Sequence, residues 1–251
     1  MTSEIVKSEI ADSFSKAANT YDNFADIQRE VAAEVFFRVK EQIKPGQKIL
    51  DLGCGTGYLA KIINAEMIIN SETPNPVEIT QVDISPKMTE KAASIKNTKT
   101  IIADMEKLPL PYDEYDVVLS SLAAQWSNLT KVLREVRRVK KAGCPYVLST
   151  LGSKSFQEIK ADFPEIKFKN MLNISEIKYE AEKAKIPNLL VKPQVIKQEY
   201  NNLLEFFHTL KNIGATVNEG GSYLGKDLVK RLKETKNYSV SWEIVYLQNF
   251  N

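Results

Sequence analysis

The sequence predicts an α/β fold in which helices cover both faces of a mostly parallel sheet. Three observations lead to this prediction. Short apolar runs alternate with amphipathic helical patterns between residues 48 and 150, as in parallel sheets with crossover helices. The first run ends in a glycine-rich loop, Gly53–Gly57. Acidic residues follow the ends of successive runs, where the ligands of such sheets bind.

The composition is that of an ordinary globular protein. The chain has 251 residues, 43% hydrophobic and 26% charged, enough for its own hydrophobic core. A net charge of +2 argues against a protein that coats nucleic acid. No apolar run reaches the roughly 18 residues of a membrane span, and Met1–Glu9 has no apolar signal core. Two cysteines, Cys54 and Cys144, favour a reducing compartment. We therefore expect a cytoplasmic protein.

The charges are unevenly distributed along the chain. Residues 1–125 contain 13 Lys and Arg against 19 Asp and Glu, a net charge of −6. Residues 126–251 contain 21 against 13, a net charge of +8. Such an asymmetry is typical of proteins with a charged partner, although a solvated basic surface explains it equally well.

The N-terminal region, 1–42, is predicted to be helical. Ile27, Val31, Val35 and Val39 recur every four residues, and the Lys44–Gln47 stretch with its Pro-Gly pair ends the helix. The apolar runs then predict strands at 48–53, 78–83, 98–103, 115–121 and 145–150. Helical spacing predicts helices at 58–65, 86–94 and 128–140, and the polar stretch 70–76 predicts a surface loop.

The last hundred residues give weaker signals. Helical spacing is present at 175–184, 203–213 and 226–236. Residues 189–200 read partly as a strand, 214–225 as a glycine-rich loop and 240–247 as the final strand. No linker divides the chain, so we expect one domain over residues 1–251.

The strongest chemical signal is the segment Asp51–Gly57, which joins a strand to a helix. Its three glycines allow the backbone to pass close beneath a ligand, at the carboxyl end of the sheet where ligands bind. Residue 58 is tyrosine, so the segment lacks the G-x-G-x-x-G spacing of dinucleotide-binding loops, and no P-loop motif occurs.

Two further carboxylates follow the next two strands. Asp83 suits the two hydroxyls of a ribose, and Asp104 suits an adenine amino group. Either residue alone could simply cap a helix. Three acids in series beside a glycine loop favour an adenosine-containing ligand.

This pattern resembles the class I S-adenosylmethionine-dependent methyltransferases over Lys48–Thr150. The resemblance implies a Rossmann-like, seven-stranded, mostly parallel sheet with an N-terminal helical lid at 1–42, a cofactor-binding core at 48–150 and a substrate side at 151–251. It also implies S-adenosyl-L-methionine as cofactor, held by Asp51, Gly53, Gly55, Gly57, Asp83, Ile84, Asp104, Met105 and Ser121.

Four segments narrow the resemblance to the malonyl-acyl carrier protein O-methyltransferases of biotin synthesis. They are Ala18–Asp22 with Gln28, Ser121–Trp126, Leu148–Gly152 and Leu210–Thr216. Two departures lie at connections: Lys141–Pro145 lacks the usual Pro-Gly-Gly, and the 70–76 loop is long. The implied reaction is methylation of the free carboxylate of malonyl-acyl carrier protein, which cancels its charge.

The candidate catalytic residues are Tyr21, whose hydroxyl would orient the carboxylate, and Gln125, which would donate an amide hydrogen to it. The alternative interpretations are a packed tyrosine and a strand-end cap, and the match to the family's segments favours the catalytic roles. Trp126 would form one wall of the pocket. Lys211 or Lys154 would pair with the malonyl group. A carboxylate with a pKa near 4 is already ionised, so no general base is required. His208 and the cysteines are interpreted as packing or surface residues, and no metal site is expected.

The resemblance implies an acidic acyl carrier protein as partner. We expect no nucleic-acid or membrane partner and a monomeric enzyme. We expect docking on the basic helix at 226–236 rather than on the basic cluster at 134–141. Two alternatives stay open: methylation of another small carboxylic acid, and a methyltransferase-like assembly factor without catalysis.

Overall fold

The structure, a computed structural model, describes residues 3–70, 76–215 and 225–250. Seven strands form one sheet: β1 (Lys48–Leu52), β2 (Glu78–Asp83), β3 (Thr98–Ile102), β4 (Val117–Ser120), β5 (Tyr146–Leu151), β6 (Leu190–Tyr200) and β7 (Tyr238–Asn249). Their order is β3-β2-β1-β4-β5-β7-β6. The first five strands are parallel, and β7 runs antiparallel to both β5 and β6. The predicted fold class is confirmed.

Helices lie on both faces of the sheet, and every helix among the described residues is too short or too polar to cross a membrane. The helices are α1 (Ser3–Ala17), α2 (Tyr21–Phe24), α3 (Asp26–Val39), α4 (Tyr58–Asn70), α5 (Pro86–Ala92), α6 (Leu129–Val139), α7 (Gln157–Asp162), α8 (Ile174–Ala184), α9 (Leu203–Asn212) and α10 (Lys226–Glu234).

Alternate residues of the central strand β1 point to opposite faces of the sheet, as strand geometry requires. Ile49 packs in one core cluster, which includes residues of α3, α4 and α9. Leu50 packs in the other, which includes the apolar stripe of α6 and part of α8. Because β1 is buried on both faces, it forms from a run of apolar residues rather than from an alternating pattern.

Within the 1–42 region, α3 is a core helix, with Val31 and Val35 fully buried, while Tyr21 of α2 and Gln28 of α3 line the pockets described below. Two regions differ from the sequence-based prediction. β6 is a complete edge strand of 11 residues despite Pro193, which an edge tolerates. Helix α7 was not predicted. Residues 71–75 of the expected 70–76 loop and 216–224 of the glycine-rich loop lie outside the described residues.

A comparison of two glycines shows how tightly the start of α4 is packed. Gly57 directly precedes α4, and Gly143 serves as the comparison. Both Gly57 (φ +82°) and Gly143 (φ +73°) have left-handed backbones. A Cβ on Gly57 would lie 2.2 Å from Ile95 Cδ1, whereas one on Gly143 meets no described atom within 4 Å.

We expect Gly143→Ala to lower the free energy of unfolding by about 1–2 kcal/mol, the cost of the left-handed conformation. Gly57→Ala should cost a further 1–3 kcal/mol or so, because the new methyl group overpacks a filled site. Urea denaturation of both variants measures the difference, and equal losses would contradict the packing argument.

Candidate active site

The glycine loop is tied to the end of β2 by three main-chain donors. The N–H groups of Gly53 and Cys54 both donate to Val82 O, at 2.7 and 3.0 Å. The N–H of Gly55 donates to Asp83 Oδ2 at 2.9 Å. These bonds hold the carboxyl ends of β1 and β2 together around a pocket, which we call the glycine-loop pocket.

Glycine is required at position 53 for two reasons. Its φ of +69° is left-handed, and a Cβ there would lie 2.2 Å from the Cβ of Ala123. The segment that follows β4 therefore approaches the glycine loop more closely than any side chain would allow. Gly55 (φ +54°) faces the hydroxyl of Tyr21, which is 4.0 Å from the position of its missing Cβ.

The glycine-loop pocket brings together most of the residues that the sequence predicted. Its lining includes Tyr21, Gly53, Gly55, Asp83, Ile84, Asp104, Met105, Ser121 and Trp126. Gly57 is outside this lining and instead packs against Ile95 and Gln81. The third glycine of the motif therefore has a packing function in the structure.

Asp51 lies behind the pocket, in a small adjoining cavity that also contacts Tyr21, Gly53 and Ser121. Its Oδ2 and the Oγ of Ser121 are buried and have no hydrogen-bond partner among the described residues. Burial, together with the charge of Asp83, raises the pKa of the Asp51 carboxyl to about 7. A buried polar group without a partner is costly, so this pair indicates a site for a polar, cationic ligand group.

The Asp83 carboxylate is oriented by the backbone. Oδ2 accepts from Gly55 N, and Oδ1 accepts from Ser85 N at 2.8 Å. Burial raises its pKa, and these hydrogen bonds oppose the rise. Each oxygen keeps a second lone pair, so the carboxylate can accept two ligand hydroxyls, as the sequence predicted for a ribose.

Asp104 has a partner that the sequence did not reveal. The ammonium of Lys7, on α1, lies 3.2 Å from Asp104 Oδ1 and 2.7 Å from Glu106 Oε1, and it donates to Ser127 Oγ at 3.0 Å. Lys7 thus fastens α1 across the mouth of the pocket. Any adenine amino group would share Asp104 with this cation.

A second, larger cavity adjoins the glycine-loop pocket. This apolar cavity encloses about 670 Å³ and lies between the ends of β5 and β7 on one side and α9 and α10 on the other. It shares Phe14, Tyr21, Leu122 and Trp126 with the glycine-loop pocket, and Gln125 also lines it. The predicted catalytic pair therefore lies where the two spaces meet.

The lysines considered for pairing with the malonyl group lie in different places. Lys211 lines the apolar cavity, as do Lys167 and Lys169, which the sequence analysis did not single out. The ammonium of Lys169 lies 5.1 Å from the ring centre of Trp126, an arrangement typical of cation–π contacts. Lys154 is outside the described lining of this cavity.

His208 lines the apolar cavity with an exposed side chain, whereas neither cysteine is in the described lining of that cavity or of the glycine-loop pocket. Both cysteines are free, and burial raises the pKa of the Cys54 thiol, which suits a packing residue. Among the described residues, no three His, Cys, Asp or Glu side chains are grouped to hold a metal ion.

Comparison with known proteins identifies the family. Residues 43–208 match the model of a methyltransferase domain. The chain is 32% identical over 257 residues to the malonyl-[acyl-carrier protein] O-methyltransferase of Buchnera aphidicola subsp. Baizongia pistaciae, covering 94% of this chain and 93% of that protein. The chain belongs to this methyltransferase family.

Two further similarities agree with the assignment. The biotin biosynthesis bifunctional protein BioHC of Teredinibacter turnerae is 31% identical over 247 residues; the alignment covers 91% of this chain, which spans only 42% of that longer protein. Phosphoethanolamine N-methyltransferase 2 of Haemonchus contortus, solved with S-adenosylhomocysteine, shares the fold, with a TM-score of 0.57 at 16% identity, covering 93% of this chain and 57% of that one.

The glycine-loop pocket fits S-adenosylmethionine, the cofactor that the sequence predicts. The unpartnered carboxylate of Asp51 suits a cationic cofactor that carries an ammonium and a sulfonium group. The two free lone pairs of Asp83 suit the ribose. Ile84 and Met105 supply apolar surface for the base.

The raised pKa of Asp51 predicts a pH-dependent affinity. Cofactor binding favours the ionised carboxylate, which is the minor form below pH 7 because burial raises the pKa to about 7. We expect affinity for S-adenosylmethionine to fall about tenfold between pH 7 and pH 5.5.

Calorimetric titrations across this range measure the effect, with Asp51→Asn as the control. The variant should bind more weakly at pH 7 and show a flat profile. A wild-type profile that is equally flat would mean that Asp51 does not titrate with cofactor binding.

Proposed function

We propose that this protein transfers the methyl group of S-adenosylmethionine to the free carboxylate of a malonyl group carried by an acyl carrier protein. The names of its relatives, malonyl-[acyl-carrier protein] O-methyltransferase and biotin biosynthesis bifunctional protein, support this substrate. The structural observation that carries the proposal is the position of Tyr21, whose side chain lines both the glycine-loop pocket and the apolar cavity.

The chemistry requires alignment rather than a base. When bound, S-adenosylmethionine supplies an electrophilic methyl group on a sulfonium. A carboxylate is ionised at neutral pH, and the protein has to orient one of its oxygens and exclude water. Phe14, Leu122 and Trp126 form apolar walls around the junction of the two spaces. Phe14 and Trp126 pack edge to face, with ring centres 5.5 Å apart.

Two polar groups serve the acceptor carboxylate at this junction. Burial, reinforced by the nearby charges of Asp83 and Asp22, raises the pKa of Tyr21 above its usual value. Its hydroxyl therefore stays protonated at neutral pH and can donate a hydrogen bond. Gln125 is held by the carbonyl of Leu122, to which its amide donates, and by the hydroxyl of Thr150. One amide hydrogen of Gln125 remains for the carboxylate.

Removing either donor should lower turnover more than cofactor affinity. For Tyr21→Phe and Gln125→Ala we expect kcat to fall roughly 10- to 150-fold, the equivalent of about 1.5–3 kcal/mol for a hydrogen bond to a charged group. Affinity for S-adenosylmethionine should change less than threefold or so, because these interactions form with the acceptor.

Tyr179→Phe provides the control, because Tyr179 is an exposed tyrosine on α8. Single-turnover rates and calorimetric cofactor affinities separate the two effects. Wild-type rates in both active-site variants would remove Tyr21 and Gln125 from the reaction.

The substrate itself is tested by methyl transfer from labelled S-adenosylmethionine. Malonyl-acyl carrier protein should be the best acceptor, malonyl-coenzyme A a weaker one and free malonate the weakest. Free malonate as the best acceptor would favour the alternative of a small-molecule carboxyl methyltransferase. Tight cofactor binding without transfer to any acid would favour the assembly-factor alternative.

The docking surface for the carrier protein is proposed on α10. The N-terminal end of this helix borders the apolar cavity through Leu228, and its exposed face carries Lys226, Lys230 and Lys233. Opposite charge at the rim of a cavity speeds encounter with an acidic partner. Together with Lys167 and Lys211 on the cavity lining, this face supports an approach from that side.

The competing basic cluster on α6 is engaged within the protein. Arg134 and Arg137 each donate to main-chain carbonyls at the end of α8, at 3.2 Å. Arg138 pairs with Glu135 and also donates to Leu108 O at 3.0 Å. On α10 itself, Arg231 pairs with Glu165 at 2.6 Å and lies over the ring of Phe163. The three exposed lysines of α10 are therefore better probes of docking than Arg231.

We expect the double variant Lys226→Glu/Lys230→Glu to raise KM for malonyl-acyl carrier protein about tenfold at low ionic strength, with a smaller effect at high salt. Activity on malonyl-coenzyme A should change less. The matched control is Lys192→Glu/Lys197→Glu on the edge strand β6. A similar loss in both double variants, or an equal loss on both substrates, would contradict docking on α10.

A further inference from the structure

The apolar cavity extends well past the reacting position. Its innermost surface, which we call the inner wall, consists of Leu151, Phe156, Phe207, Leu210, Ile213 and Trp242. All of these are buried except Phe207, which is partly buried. The inner wall is therefore closed off from solvent by the body of the protein.

The inner wall is well packed from behind. Phe156 contacts Trp242 with ring centres 4.8 Å apart, and Phe206, which is fully buried, lies 5.2 Å from Phe156 and 5.1 Å from Phe207. Interlocked rings of this kind hold their positions. Packing of this kind favours a cavity of fixed shape.

The volume exceeds what a malonyl group needs. At roughly 30 Å³ per non-hydrogen group, the share of one molecule in liquid water, about 670 Å³ holds on the order of twenty such groups. A malonyl group has only six non-hydrogen atoms. The cavity is also within the range of roughly 300–1,000 Å³ typical of sites for whole organic ligands.

The polar groups of the lining fall at two ends. Tyr21, Gln28 and Gln125 line the end next to the glycine loop, and the ammonium of Lys169 lies over the ring of Trp126 there. Glu165, Lys167, His208 and Lys211 are exposed at the outer side. The inner wall offers apolar side chains. The pantetheine arm of a carrier protein has amides and hydroxyls, which would be left unpaired against the inner wall. Such an arm therefore fits along the outer side of the cavity. The inner wall instead suits an alkyl chain.

We propose that the protein also methylates monocarboxylic acids with an alkyl chain of about eight carbons, whose tail lies against the inner wall. This inference rests on the reaction centre of the proposed function but concerns a second class of acceptor. The carboxylate occupies the same place, between Tyr21 and Gln125. The chain then buries methylene groups that malonate does not possess.

The second reaction is balanced without any further reagent. A lone pair of a carboxylate oxygen forms a bond to the methyl carbon of S-adenosylmethionine as the carbon–sulfur bond breaks, and the electron pair of that bond remains on sulfur. The negative carboxylate and the positive sulfonium become a neutral methyl ester and a neutral thioether. No proton is transferred, and no oxidant or metal is required.

The sharpest test is how kcat/KM depends on the length of the alkyl chain of the acid. With the full-length protein and labelled S-adenosylmethionine, kcat/KM should rise about two- to fourfold per methylene from butanoate to octanoate, where fourfold corresponds to about 0.8 kcal/mol per buried methylene. In calorimetry with S-adenosylhomocysteine present, octanoate should bind and acetate should show no heat of binding. This binding readout is independent of turnover.

Phe207 provides the matched variants. Phe207→Asn places an amide in the inner wall and should lower kcat/KM for octanoate at least tenfold or so, with less than a threefold effect on malonyl-acyl carrier protein. Phe207→Leu keeps the wall apolar and should retain octanoate activity. Calorimetric affinity for S-adenosylmethionine verifies that both variants are folded.

The outcomes separate the two proposals. Methylation of malonyl-acyl carrier protein, with octanoate no better than butanoate, overturns the second acceptor class and leaves the proposed function standing. Methylation of octanoate without any malonyl substrate overturns the proposed function alone. No transfer to either class by a protein that binds S-adenosylmethionine overturns both.

Discussion

The site depends on the main-chain hydrogen bonds that close the glycine loop against the end of β2. Gly53 and Cys54 share the carbonyl of Val82, and Gly55 donates to the Asp83 carboxylate. This geometry brings the end of β1 within van der Waals distance of the segment after β4, because Gly53 carries no side chain that would meet Ala123. Asp51, Asp83 and Ser121 reach one region of space only as a consequence of this closure.

The second structural element is the N-terminal cover, formed by α1 and α2, which lies between the glycine-loop pocket and the apolar cavity. Lys7 fastens α1 to Asp104 and Glu106. At the other end, Thr20 Oγ1 donates to Asn212 O at 2.8 Å, and Ser13 Oγ donates to Gly214 O at 2.9 Å. The segments Ala18–Asp22 and Leu210–Thr216, which together indicated the family, are thus in contact through their described residues.

Much of this architecture could be predicted from the sequence, because buried parallel strands and amphipathic helices leave strong local patterns. The glycine motif and the strand-end acids located the glycine-loop pocket for the same reason: they lie at the ends of β1, β2 and β3. The sequence was less informative where the structure depends on distant contacts. Lys7 and Asp104 are 97 residues apart, and no local pattern links them. Edge strand β6 was only partly predicted, because its exposed face and Pro193 weaken the apolar signal.

Burial decided several assignments that residue identity left open. Asp51 is distinguished from the other strand-end acids by its unpartnered oxygen, a property of the packed protein. The arginines of α6 resemble a docking surface in the sequence but bond to carbonyls of the same chain. Of the lysines considered for the acceptor, Lys211 lines the apolar cavity, and Lys154 is outside its described lining.

We propose that Tyr21 and Gln125 hold the acceptor carboxylate at the boundary between the two spaces. A crystal structure with S-adenosylhomocysteine and malonyl-pantetheine would show this contact. We expect a malonyl carboxylate oxygen within about 3 Å of both Tyr21 Oη and Gln125 Nε2, with the thioester directed towards α10. A carboxylate bound only to lysines at the outer side, away from Tyr21, would contradict it.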